Sequence, residues 1–195
     1  MFLRCCVLFA GVCWMAGAPE VRALDFQVQS IQVEEDGYKH EQPFLRNDEH
    51  TRIFLTLPAG WDRTAEPNAL TLSARAENET TIRLEKSPLT PDLPFKEKGL
   101  DAYRQRALAS VPQGATEVQV SVDLDEPLPI FHWKSHEFVV DYVFFGRAFR
   151  RSQVFLDLNA TEQILMTTVA PKAGFDRAHE AAFDVLRSWQ VMPVR

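Results

Sequence analysis

Residues 138–145 read Phe-Val-Val-Asp-Tyr-Val-Phe-Phe, and this stretch decides the fold. Its apolar side chains occupy both alternating sets of positions, whereas a strand with one solvated face alternates apolar and polar residues. A strand that is apolar on both faces has to be covered on both faces. The stretch therefore predicts a central strand of a β-sheet, with other elements packed above and below it.

Shorter segments on either side have the composition of β-strands. They are rich in β-branched or alternating apolar residues and stop at Pro, Gly or Asn. The predicted strands are 51–57, 68–76, 80–85, 117–124, 153–158 and 163–170, with a hairpin connection at 146–150. Within 117–124 the alternation predicts that Val118, Val120 and Val122 face a core. Because consecutive segments are joined by short turns, the sheet is expected to be antiparallel.

Two further segments have apolar residues at the spacing of amphipathic helices. The first is residues 95–110 and the second is residues 175–189. The apolar stripe of the second helix consists of Phe175, Ala178, Ala182, Phe183, Leu186 and Trp189. The order of strands, helix, strands and helix predicts an α+β fold, with an antiparallel β-sheet covered by helices on both faces, an α/β/α sandwich.

Three features of this pattern resemble the PsbP-like superfamily. The strand end Leu57-Pro58-Ala59-Gly60-Trp61 resembles its Pro-x-Gly-Trp motif, a long aromatic hairpin follows the mid-chain helix, and the last helix closes on Ser188-Trp189. The resemblance covers residues 51–192. The superfamily includes the PsbP accessory subunit of photosystem II, DcrB-like bacterial envelope proteins and a Ran-binding protein of the importin pathway.

The resemblance implies an accessory, chaperone or partner-binding protein rather than a catalyst. Fold alone does not choose among these functions. The matching residues Pro58, Gly60, Trp61, Ser188 and Trp189 are interpreted as structural, so no functional residue is carried over from the superfamily.

Residues 1–23 have the pattern of a signal peptide. Arg4 supplies the positive charge, and the apolar run 5–18 that follows is shorter than the roughly 20 residues of a transmembrane helix. No later stretch is apolar enough for a membrane span, so none is expected after cleavage.

Two cleavage sites compete within this signal peptide. Ala16-Gly17-Ala18 has the preferred small residues, but Pro19 would then follow the cut. Cleavage after Val21-Arg22-Ala23 is therefore expected. An uncleaved membrane anchor and a lipid anchor at Cys13 are the alternatives.

All three Cys residues, Cys5, Cys6 and Cys13, lie before this cleavage site. An exported mature chain would then have no disulfide, no Cys-ligated zinc and no thiol nucleophile.

The predicted organisation is a signal peptide at 1–23, an N-terminal extension with a short strand at 24–50, and a PsbP-like α+β domain at 51–195.

The composition excludes several classes of function. With 46% hydrophobic and 25% charged residues the chain is expected to fold, and its net charge of −6 argues against nucleic-acid binding. The sequence has no Gly-x-Ser-x-Gly elbow, phosphate-binding loop, His-Glu-x-x-His motif or dinucleotide fingerprint. Neither a cofactor nor a metal ion is predicted.

His132 and His136 mark the segment that is densest in functional residue types. Two histidines four residues apart share a metal ion on a helix, but in an extended chain they lie roughly 13 Å apart. A polar binding surface is the remaining functional interpretation, and ordinary decoration of a strand is the alternative to it. A calcium site at Asp123, Asp125 and Glu126 is not predicted, because the calcium-loop pattern is missing.

Arg147, Arg150 and Arg151 crowd one hairpin of an otherwise acidic chain. Arg side chains recognise carboxylate and phosphate groups through paired hydrogen bonds. The three arginines are therefore a candidate site for an anion or an acidic partner. A solvated turn whose charges are balanced by nearby acids is the alternative.

These observations favour an exported, non-enzymatic accessory or partner-binding protein of the cell envelope, located in the periplasm or secreted. The surface around residues 130–153 is the expected contact, with a protein partner or an anionic ligand. A secreted or periplasmic hydrolase that uses Asp, Glu or His in a cleft between sheet and helix is the alternative. An assembly factor of the envelope is a third interpretation.

Overall fold

The computed structural model of the chain describes residues 25–35, 37–46, 51–66, 69–88, 98–129, 133–157 and 162–193. This part contains two helices, α1 (Lys98–Ala109) and α2 (Phe175–Arg187), and eleven strands in two antiparallel sheets. The strands are β1 (Asp25–Glu35), β2 (Tyr38–Arg46), β3 (Thr51–Phe54), β4 (Trp61–Glu66), β5 (Ala69–Ala74), β6 (Thr81–Pro88), β7 (Thr116–Asp125), β8 (Ser135–Phe144), β9 (Arg147–Asp157), β10 (Glu162–Pro171) and β11 (Gln190–Pro193). One sheet has the order β1-β2-β3-β11 and the other β4-β5-β6-β10-β9-β8-β7.

The predicted α/β/α sandwich is wrong. The described chain is mostly β-strand, and a second antiparallel sheet, which the sequence did not indicate, accompanies the seven-stranded one. A helix is about 10 Å wide and strands lie about 4.8 Å apart, so one helix spans about two strands. Two helices of 12 and 13 residues therefore cannot form helical layers over both faces of seven strands.

The main core packs α2 against the middle of the seven-stranded sheet. The sheet contributes one set of alternating side chains, here called the Val154 face. Its buried members are Leu70, Leu72, Ile82, Leu84, Val154, Leu156, Ile164 and Met166. Ala182, Val185 and Leu186 of α2 are fully buried against them, and each large apolar side chain buried in this way contributes roughly 1.5–3 kcal/mol.

The opposite set of side chains, the Phe155 face, has a smaller core. Tyr103 and Ala107 of α1 pack against Phe138, Phe155 and Leu165. Because successive residues of a strand point to opposite faces, the stretch from Ser135 to Tyr142 in β8 is buried residue by residue. The prediction of a strand covered on both faces is confirmed.

The prediction that the three valines of β7 face a core is wrong for two of them. Strand β7 forms an edge of the seven-stranded sheet, where Val118 is 37% and Val122 is 39% exposed. Val120 packs against the α1 cluster. The register with β8 shifts between Thr116 and Gln119 and again between Val120 and Val122, so the alternation is interrupted by β-bulges.

The four-stranded sheet joins the N-terminal part of the chain to its C-terminal strand. Strands β1 and β2 pair around a turn at Gly37, and β11 pairs with β3. The predicted extension 24–50 thus contains two long strands rather than one short strand. The predicted signal peptide lies outside the described residues. Neither described helix has the length and apolar character that crossing a bilayer requires.

Candidate functional site

The hairpin of β8 and β9 ends in a two-residue turn. Phe144 and Arg147 are its last paired residues, and Phe145 and Gly146 connect them. Both turn residues have positive φ, +47° and +73°, as a type I′ turn requires. Gly adopts this conformation without steric strain, whereas an aromatic L-residue is strained there. Asn or Asp is the usual first residue of such a turn, so Phe145 is unfavourable for folding.

Phe145 is also exposed to solvent over 90% of its surface. Its ring lies 4.3 Å from the ring of Phe144, measured between centroids. Burial of a Phe side chain contributes about 1.5–3 kcal/mol, which Phe145 does not recover within this chain. An exposed aromatic side chain on a strained backbone is typical of an interaction anchor. Residues 144–147 are here called the hairpin tip.

A cavity of about 370 Å³ lies beside the hairpin tip. It is lined by Glu77, Asn78, Arg147, Pro171, Ala173, Gly174 and Arg177. Arg147 forms an ion pair with Glu79, and Arg177 forms one with Glu77. Solvent-accessible ion pairs of this kind contribute little to stability.

Arg150 belongs to a cluster around Asp141, a buried residue of β8. Asp141 accepts hydrogen bonds from Arg150 Nε at 2.9 Å, Lys172 Nζ at 3.0 Å and Ser121 Oγ at 2.9 Å. Burial opposes ionisation of this carboxyl, but the hydrogen bonds from Lys172, Ser121 and Arg150 together hold its pKa below the ordinary value. The cluster ties β8, β9 and the start of the α2 region together.

Glu137 is a second buried carboxylate on the same side of β8. Its Oε1 accepts a hydrogen bond from Ser152 Oγ and lies 2.6 Å from His179 Nε2 of α2. The Glu137 carboxylate lies between Ser152 and His179. In a catalytic triad the Ser hydroxyl is hydrogen-bonded directly to the His, so this arrangement is not a triad. Ser152 is fully buried as well, and this group links α2 to the sheet.

His136 lies inside an acidic cluster at the sheet edge. Its Nε2 is 2.8 Å from Asp123 and its Nδ1 is 3.3 Å from Asp125. The two carboxylates face opposite ring nitrogens, so they do not converge on one metal ion. The described residues contain no group of three His, Cys, Asp or Glu placed to hold a metal. His132, its predicted companion, lies outside the described residues.

The three arginines do not form one site. The turn lies at 145–146 instead of 146–150, so Arg147, Arg150 and Arg151 all belong to strand β9. Alternation sends Arg150 to the Val154 face and Arg151 to the opposite one. Arg147 and Arg150 have acidic partners, whereas the half-buried Arg151 has a buried Nε without a hydrogen-bond partner.

The sequence does not single out Phe145, because it ends an apolar run and has the pattern of a strand residue. Gly is favoured at the second position of a type I′ turn, so Gly146 is the signal that could have placed the turn at 145–146 instead of 146–150. Arg177 and Glu77 carried no local signal, because only the tertiary fold brings them beside Arg147.

Solved structures of known proteins have a similar fold. No family model and no curated protein matches the sequence. Among solved structures, LpqN of Mycobacterium tuberculosis matches with a TM-score of 0.55 at 15% identity, over 86% of this chain and 92% of that one. Cyanobacterial PsbP from Synechocystis sp. PCC 6803 matches with a TM-score of 0.50 at 14% identity, over 91% and 99%.

The chain has a PsbP-like fold. The Ran-binding protein Mog1p of Saccharomyces cerevisiae shares it, with a TM-score of 0.51 at 8% identity over 84% of this chain and 95% of that one. The resemblance drawn from the strand-end motif and the closing Trp189 is thereby confirmed. With sequence identities of 8–15%, the similarity to these structures establishes the fold alone. The function of the site therefore has to be inferred from its own residues.

Proposed function

We propose that this chain is an exported, non-enzymatic accessory protein of the cell envelope that binds a protein partner through its hairpin tip. The observation that carries the proposal is Phe145, which is 90% exposed in a left-handed turn conformation. Neither feature stabilises the isolated chain. Both are explained if the aromatic ring is buried in a partner.

The structural neighbours support this class of function. LpqN is described as involved in cell envelope biogenesis, and Mog1p is described as a Ran-binding protein. The signal-peptide pattern of residues 1–23 supports export, to the periplasm or beyond. A partner-binding role also agrees with what the sequence resemblance implies.

The chemistry of the hairpin tip indicates what the partner presents. Phe145 would fill an apolar pocket, as aromatic anchors do at the centre of protein interfaces. Arg147 and Arg177, beside the cavity, would exchange their glutamates for acidic groups at the rim. The partner surface is therefore expected to combine an apolar pocket with flanking carboxylates.

Capture of the partner from the native envelope by the immobilised protein tests the proposal. The variant Phe145→Asn removes the anchor and introduces the residue that the turn favours, so the fold is retained. Met192→Asn is the matched control, because it removes another exposed apolar side chain from β11, 49% exposed. We expect the wild type and the control to retain one discrete partner and Phe145→Asn to lose it. Equal retention by all three proteins would contradict the proposal.

A further inference from the structure

Arg151 is half-buried, and within the part of the chain that the structure describes its guanidinium forms no salt bridge. Among the described residues none accepts a hydrogen bond from its guanidinium, and its Nε is buried. Glu85 acts on it through space, but that carboxylate is hydrogen-bonded to Arg83 at 3.1 Å. Burying a charge without a partner is costly, and unpartnered buried N–H groups are rare in folded proteins.

A second unpartnered polar atom lies next to it. Gln153 is 3% exposed, and its Oε1 has no hydrogen-bond partner. Residues two apart in a strand point to the same face about 6.6 Å apart, so Arg151 and Gln153 are neighbours on the Phe155 face. Tyr142 and Phe149 pair across β8 and β9 on this face, two residues along β9 from Arg151, and their rings stack at 5.6 Å between centroids. A donor atom and an acceptor atom without partners thus belong to neighbouring residues on the same face of the sheet.

We propose that Arg151 and Gln153 form a binding site for a carboxylate group. The planar guanidinium fits a carboxylate through paired, charge-assisted hydrogen bonds. Gln153 Oε1 would accept a hydrogen bond from an N–H or O–H group adjacent to that carboxylate. The carboxylate belongs either to a free small acid or to an acidic side chain of a protein, and both present the same chemistry to Arg151.

Burial of the guanidinium lowers the pKa of Arg151 below its ordinary value. A bound carboxylate would favour the charged form and oppose this effect. The site is separate from the hairpin tip, because Arg151 lies four residues along β9 from Arg147, roughly 13 Å in an extended strand. This inference therefore goes beyond the proposed partner contact and does not depend on it.

Arginine-labelled protein allows a direct test, in which the Nε–Hε resonance of Arg151 is followed by NMR. The probes are sodium acetate, an N-acetylated and amidated Glu-Glu-Glu peptide, and sodium chloride at matched ionic strength. We expect a saturable shift with acetate or peptide and none with chloride. Tighter binding of the peptide than of acetate would assign an acidic side chain, whereas equal binding would assign a free acid. Shifts that are the same for all three probes would overturn the proposal.

Two variants separate binding from folding. Arg151→Met removes the charge at similar volume, and we expect it to abolish the saturable binding while the thermal midpoint stays equal or rises, because an uncompensated charge has been removed. A lowered midpoint would contradict this account. Arg187→Gln, on the exposed surface of α2, is the control that retains binding. Phe145→Asn is expected to retain it as well, so failure at one site is distinguishable from failure at the other.

Discussion

The carboxylate of Asp141, a residue that is 7% exposed, accepts hydrogen bonds from three side chains. Burial alone would raise its pKa, and the donors more than reverse that effect. A carboxyl whose pKa is lower in the folded state stabilises the fold above its unfolded-state pKa. That contribution is lost as the pH falls through the lowered value.

Asp141→Asn is expected to lower the free energy of unfolding by about 2 kcal/mol at neutral pH, because Arg150 and Lys172 lose their carboxylate. Below about pH 4 the wild type is expected to lose stability towards that of the variant, since its own carboxyl becomes protonated. Urea unfolding at a series of pH values measures both effects. Asp184→Asn, at an exposed position of α2, is the control. A difference between wild type and Asp141→Asn that stays constant from pH 7 to pH 2 would contradict this reading.

For single residues, the sequence indicates which side chains are candidates for a site, but it does not indicate which side chains they contact. Arg147, Arg150 and Arg151 were recognised as a cluster from their spacing, yet a turn placed a few residues too late hid their division between two faces. Glu137 accepts a hydrogen bond from Ser152, 15 positions away, and contacts His179, 42 positions away, so no local pattern indicates either contact.

At the level of helices and strands, the sequence predicts the elements whose apolar residues follow a local pattern. It does not predict strands that are exposed or that pair with distant parts of the chain. The apolar stripe of α2 and the doubly buried β8 follow from periodicity. Strand β4 was missed, because the residues from Asp62 to Glu66 are exposed and show no apolar alternation. The second sheet was missed since β11 and β3 pair across most of the chain.

The turn between β8 and β9 gives a prediction of its own. Phe145→Asn is expected to raise the free energy of unfolding by about 0.5–1 kcal/mol, because Asn tolerates the left-handed conformation. Gly146→Ala is expected to lower it by about 1 kcal/mol, since no side chain is favoured at its φ of +73°. Chemical denaturation of both variants checks the pair. A loss of stability in Phe145→Asn would mean that the aromatic ring supports the hairpin.

For the whole molecule, the predicted export implies a shortened chain, whose N-terminus can be determined by intact mass spectrometry. Protein isolated from its native envelope is expected to begin at Leu24, which removes all three Cys residues. Reducing agents should then leave its unfolding unchanged, because no disulfide is possible. An intact mass that includes Met1 would contradict the prediction of a cleaved signal.

Site-specific photo-crosslinking in the native envelope tests whether the hairpin tip contacts a protein partner. A photoreactive aromatic residue replaces Phe145 in one protein and the exposed Thr64 of β4 in a control. We expect one discrete crosslinked adduct from position 145, absent from position 64 and weakened by Arg147→Glu. Adducts of equal pattern from both positions, or none from position 145, would contradict it.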